Sequence, residues 1–253
     1  MNQQNAVTSP LQAAIQWSLD SLNSQSWVKN ISDTSSHTHY PIKLLRYWFM
    51  YHFIKAQQQR LGRALRVCEI GVDRGQMRRY MQDAGFSDIE CWEAVDYKLQ
   101  PELSESGYTK QIQANVDVPE FQLVEQYDVI IVLHLLEHLF EPEKLVAKLE
   151  PALVSGGILI GGFPTVPHLM LASREQKIRQ TAASFGHVSA FSPQRVKSMA
   201  ESCGLKLDFL SGSYFLRKRN FALENYPFWV RLNLLWGVIA PSLSGEIYWQ
   251  IRK

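Results

Sequence analysis

The sequence predicts an α/β domain: a doubly wound, mostly parallel sheet of seven strands, with a helical segment ahead of it. Three observations carry that reading. From Arg66 onward, β-rich runs alternate with segments of helical period. Glycines close the helical segments. The run YDVIIVL is apolar on both faces, as a strand in the middle of a parallel sheet has to be.

The first strand is RVCEI, followed by a turn holding Gly71 and Gly75, and GQMRRYMQDAG after it reads as a helix closed by Gly85. IECWEAVD is the second strand, ending in Asp96, and TKQIQANV the third, ahead of Pro119. YDVIIVL is the fourth. Pro142 then opens a helix whose Leu145, Leu149 and Leu153 recur at helical spacing, and Gly156 and Gly157 are expected to stop it before the fifth strand, ILIGGF. Ser192 and Pro193 read as cap and first turn of a helix with Val196, Met199, Ala200 and Cys203 on one face, ended by Gly204. KLDFLSG and EIYWQIRK are the sixth and seventh strands, with an insert at about 212–244 between them. Residues 1–60 do not follow the rhythm; LLRYWFMYHFI there predicts helices capping one end of the sheet, so the chain divides into a cap over 1–60 and a domain over 61–253.

Composition narrows the function. A chain of 253 residues with 46% hydrophobic side chains fills one such domain, and a net charge of +2 lacks the basic excess of a nonspecific nucleic-acid binder. Cys68, Cys91 and Cys203 have no CxxC spacing and read as reduced core thiols, which fits the cytoplasm. MNQQNAVTSPLQ has no basic region followed by an apolar one, so no signal peptide is expected, and no run approaches the roughly 20 apolar residues of a membrane span.

A strand, a glycine turn and a helix make an anion or cofactor cradle, because glycines let the backbone come close and the helix offers free N–H groups. A nucleoside-triphosphate loop needs GxxxxGK[ST], and no lysine follows Gly75. A dinucleotide turn wants GxGxxG, but here Asp73 stands two past Gly71, where a carboxylate repels pyrophosphate. S-adenosylmethionine has no phosphate and two positive centres, which suits a turn flanked by Glu69 and Asp73. Asp96, about 20 residues past the turn, stands where an acid grips ribose hydroxyls.

On these residues the chain resembles the class I S-adenosylmethionine-dependent methyltransferases over about residues 64–211. Glu69, Gly71 and Gly75 match the first motif, Asp73 departing where a middle glycine is usual, and Asp96 matches the ribose acid. QYDVIIVLHLLEHLFEPEKL and PALVSGGILIGGFP look like the fourth strand, helix and fifth strand, and GHVSAFSPQRVKSMAESCGL like the segment before the sixth. The resemblance implies a Rossmann-like fold with an antiparallel last strand, adenine near Asn115 and Val116, and Leu133 and His134 lining the cofactor.

HLLEHL is most similar to the ubiquinone-pathway O-methyltransferases and the small-RNA terminal methyltransferases, whose ExxEH can hold a divalent cation. Here His134 replaces the first acid, leaving Glu137, His138 and, further on, His187; the expectation is an enzyme without a metal, these groups being structural or basic. A hydroxyl acceptor loses a proton on methylation, which makes His138 and His187 the candidate bases, while His168, in the prolyl loop after the fifth strand, either reaches substrate or is simply exposed. The expected acceptor is a small molecule, hydrophobic or lipid-carried, methylated at oxygen, and not nucleic acid: RKR at 217–219 is the one compact basic cluster, which a solvated turn explains. A nucleic-acid terminal methyltransferase, a noncatalytic scaffold and a nicotinamide oxidoreductase are the competing readings. In the insert, Phe228, Leu232, Leu235, Trp236 and Ile239 fall on one helical face, with Arg231 and Asn233 elsewhere. Such a stripe packs on its own domain, roofs the acceptor or meets lipid.

Overall fold

The structure is a computed structural model that describes residues 9–16, 43–215, 223 and 226–253. The sheet has seven strands, β1 (Leu65–Ile70), β2 (Ile89–Asp96), β3 (Lys110–Gln113), β4 (Tyr127–Leu133), β5 (Leu153–Pro164), β6 (Lys206–Gly212) and β7 (Glu246–Arg252), in the order β3-β2-β1-β4-β5-β7-β6. Only β7 runs against its neighbours, pairing antiparallel with β5 and β6. β1 is flanked by β2 and β4, both parallel to it, so the chain's winding reverses at the β1/β4 boundary and leaves a crevice at their carboxyl ends.

Alternation along the strands divides the core in two. Val129 and Ile131 of β4 face one layer and Ile130 and Val132 the other. The first layer is filled by α1 (Pro10–Gln16), α2 (Lys43–Leu61) and α3 (Gln76–Asp83), the second by α4 (Pro142–Leu149) and α6 (Pro193–Ser202). α2, the LLRYWFMYHFI segment, lies across a face of the sheet rather than over its end, because Leu44, Trp48, Phe49, Phe53 and Ile54 are all buried against it. α5 (Leu171–Thr181) stays at the surface.

Two local expectations change. The helix opened by Pro142 ends at Leu149, not at the glycines, because Pro151 breaks it and forces a 3-10 turn over Glu150–Ala152; Leu153 begins β5, which contains Gly156 and Gly157. The insert does form a helix, α7 (Pro227–Ile239), but the stripe Phe228, Leu232, Leu235 and Ile239 faces outward. The buried side is Val230, Asn233 and Leu234, selected by Gly237, which faces Gly212 of β6 so closely that a side chain on either would collide. Asn233 is satisfied there, accepting from the Phe215 amide at 3.2 Å and donating to the Trp229 carbonyl at 2.8 Å. The RKR cluster at 217–219 lies outside the described residues.

Candidate active site

The turn after β1 is shaped by three left-handed residues, Gly71, Asp73 and Gly75. Gly71 has φ 77°, and its amide donates to the Val95 carbonyl at 2.8 Å. A Cβ at Gly71 would stand 3.2 Å from Leu135 Cδ1, so the ends of β1 and the β4 loop nearly touch. Gly71→Ala is therefore expected to cost about 1–2 kcal/mol for the left-handed backbone alone, with the side chain of Leu135 displaced as well; urea denaturation measures it, and an unchanged midpoint would refute the close approach. Asp73, at the position of the missing middle glycine, has φ 48°, a conformation that aspartate tolerates better than most side chains. Its amide donates to Asp96 Oδ2 at 3.0 Å, and the Lys98 amide donates to Asp96 Oδ1 at 3.1 Å. The ribose-acid candidate is thus fixed through both oxygens, each keeping a lone pair for a ligand.

These groups open on a cleft of about 780 Å³, within the size range of small-molecule sites. Among the sequence-derived residues, Gly71, Asp73, Asp96, Asn115, Val116 and His138 line it. Glu69, Gly75, Leu133, His134 and His187 do not line this cleft. Glu69 is buried behind the turn, where Oε2 accepts from Trp92 Nε1 at 3.1 Å and from the Tyr108 hydroxyl at 2.9 Å. Burial pushes its carboxyl up to about 7, against the pull of those two bonds. Gly75, φ 71°, caps α3. Leu133 ends β4 half-buried. His168 Nδ1 lies 3.0 Å from the Ser192 hydroxyl, the cap of α6.

His138 comes from the 3-10 turn Leu136–His138 that follows β4. Its Nδ1 stands 2.9 Å from the Phe185 carbonyl and 3.2 Å from that of Gly186. Carbonyls only accept, so Nδ1 carries the hydrogen and Nε2 of the neutral ring keeps its lone pair. The His187 ring meets His138 edge-on at 4.8 Å between centroids, and its partial desolvation there, with the repulsion of His138 and His134, lowers its pKa against the pull of Glu137. Glu137, His138 and His187 bring one ligand atom each within 4.8 Å of one another, and Glu137 Oε2 is buried without a hydrogen-bond partner. An oxygen and two imidazole nitrogens are a donor set for a transition metal.

A second polar group escaped the sequence reading. His134, left-handed at φ 54°, places Nδ1 3.0 Å from Glu137 Oε1 and Nε2 3.5 Å from Glu246 Oε2. Glu246 is fully buried, accepting from Arg46 Nη2 at 3.1 Å and from the Tyr248 hydroxyl at 2.7 Å. Burial alone would raise the Glu246 carboxyl; Arg46 and His134 outweigh it and hold the group well below the usual carboxylate range. The available signal was an acid opening the otherwise apolar strand EIYWQI.

Residues 37–208, about two thirds of the chain, match the family model described as a methyltransferase domain. The chain belongs to this family. Solved structures agree on the fold. This methyltransferase is similar to the N-methyltransferase NodS from Bradyrhizobium japonicum, in complex with S-adenosylhomocysteine, at 11% identity over 93% of this chain and 96% of that one, TM-score 0.54. It is also similar to an S-adenosylmethionine-dependent methyltransferase from Mesorhizobium loti (11%, 76% and 92%, 0.54) and to the CurJ carbon methyltransferase (12%, 96% and 63%, 0.57). No curated protein sequence matches it significantly. The cleft of this class I methyltransferase fits S-adenosylmethionine: Asp73, Asp96 and Asp117 face it against Lys98, the one lysine or arginine among the described lining residues, suiting a ligand with two positive centres, while Ile70, Val116 and Leu139 offer apolar walls to a nucleobase.

Proposed function

We propose that this methyltransferase moves a methyl group from S-adenosylmethionine to a hydroxyl of a small-molecule acceptor, with His138 as the base. What the cofactor supplies when bound is an electrophilic methyl carbon on a cationic sulfur. Gly71, Asp73, Asp96, Asn115 and Val116 hold it, backed by Glu69, Gly75, Leu133 and His134. His138 Nε2 takes the proton that the hydroxyl releases as the new carbon–oxygen bond forms. His187 packs edge-on against the His138 ring and holds its orientation.

The single observation behind this reading is that His138 lines the same cleft as Asp96 while two backbone carbonyls lie against its Nδ1, which leaves Nε2 as the nitrogen to accept a proton. A neutral amine attacks through its own lone pair and needs such a base less, whereas a carbon acid needs one as a hydroxyl does, so the acceptor panel has to separate oxygen from carbon. S-adenosylhomocysteine formation, measured over a panel of hydroxyl, amine and carbon acceptors, tests it: turnover confined to amines or carbon acids overturns O-methylation. For the cofactor half, Asp96→Ala is expected to weaken S-adenosylmethionine binding by about 1–3 kcal/mol in calorimetry. An unchanged affinity would remove Asp96 from the site.

A further inference from the structure

α7 is apolar all round: within PFWVRLNLLWGVI the only charge is Arg231. A helix of that kind belongs in a core or in lipid, yet half of this one is bare. Phe228, Leu232, Leu235 and Ile239 follow one another at steps of four, three and four residues, on the side opposite the buried Val230, Leu234 and Gly237, and they are 60%, 46%, 39% and 80% exposed. Trp229 and Trp236 sit half-buried along one flank of the stripe and Arg231 is exposed along the other. α1, packed on α7, turns Ala13 and Ala14 inward and leaves Leu11 and Ile15 out, adding apolar surface and no charge.

We propose that the outer face of α7, extended by α1, docks the protein onto an anionic lipid surface. Size excludes spanning. Thirteen residues make a helix of about 20 Å, and no described helix is long and apolar enough to cross a membrane. A helix lying flat, with large apolar side chains down and tryptophan and arginine at its edges, matches the boundary between headgroups and acyl chains.

Charge selects the occupant. On the described α1 and α7 the only charge is Arg231, with no acid beside it. That complements phosphatidylserine-type headgroups, each added cation strengthening the attraction. A second copy of this chain fits less well: a twofold contact of this face with itself would set Arg231 near its own copy, with no acid on the described part of either helix to relieve the repulsion.

The test is co-sedimentation of the full chain with phosphatidylcholine vesicles, with and without phosphatidylserine, at low and at raised salt. The expected result is binding to the anionic vesicles that raised salt weakens. Arg231→Glu is expected to weaken it at least about fivefold, and the Leu232→Ser/Ile239→Ser double variant by more than about tenfold. All three side chains are exposed, so their thermal transitions should match the parent and separate lost docking from lost folding. A chain that stays in solution with both vesicle types overturns the proposal. So does equal binding to both, or a dimer in sedimentation velocity that Ile239→Ser dissolves, which would assign the face to a second copy. The outcome is independent of which acceptor is methylated.

Discussion

His138→Gln is expected to lower turnover of the best hydroxyl acceptor by about 10²- to 10⁴-fold, the usual contribution of a positioned base, while S-adenosylmethionine still binds. Glutamine keeps the side chain's length and polarity but offers no basic nitrogen. The ring it replaces is oriented by the Phe185 and Gly186 carbonyls on Nδ1, so that Nε2 is the one atom able to accept a proton. A cation held by Glu137, His138 and His187 would occupy a lone pair of the same imidazole pair, and the two roles compete for these side chains. The experiment separates them. With His138 acting as a base, activity survives a chelator. Loss of activity on chelation, restored by added transition metal, would transfer the role of these groups to metal binding. Retained turnover in the glutamine variant would remove His138 from the reaction altogether.

Glu246→Ala is expected to destabilise the fold by about 3–5 kcal/mol, because it strands two cationic partners in the interior. Arg46 and His134 both face that carboxylate, and Arg46 stands 200 residues away in the chain, on α2. The pH dependence has a definite sign. Glu246 titrates below its ordinary 4.5, so its contribution is complete above about 4.5 and is lost as pH falls through the lower folded value. His134 titrates above its ordinary 6.5; burial opposes this, but the hydrogen bond to Glu137 and the facing Glu246 carboxylate prevail. Its contribution is complete below about 6.5 and is lost as pH rises through the higher folded value. The stability gap between parent and variant in urea should therefore be widest between about pH 4.5 and 6.5. A gap that stays constant with pH would mean that packing, not charge, accounts for it. The consequence for the site is local. His134 and His138 share one short loop after β4, so the ion chain from α2 through Glu246 helps to fix the segment that carries the proposed base.

Much of this architecture could be read along the chain. YDVIIVL is buried on both faces, as its composition requires, and Ser192 does cap α6, its hydroxyl accepting from the Arg195 amide at 3.2 Å. Pro151 was legible too, and the leucine periodicity concealed it: three leucines at helical spacing outvoted one residue that cannot continue a helix. The departure at Asp73 was visible, but its meaning came from the backbone. A carboxylate in a glycine's place reads as a change of ligand charge, and it is also a left-handed residue whose amide holds Asp96.

The sequence by itself determined the strand and helix order, the glycine turn and the acid at the end of β2, because each depends on neighbours a few residues apart. Only the tertiary structure brought His138 against His187, placed Arg46 on Glu246, and chose which side of α7 is covered. Periodicity says which side chains share a face and is silent about what lies opposite; for α7 that was decided by the close meeting of Gly237 with Gly212 on another element, leaving the bulkier face to the outside.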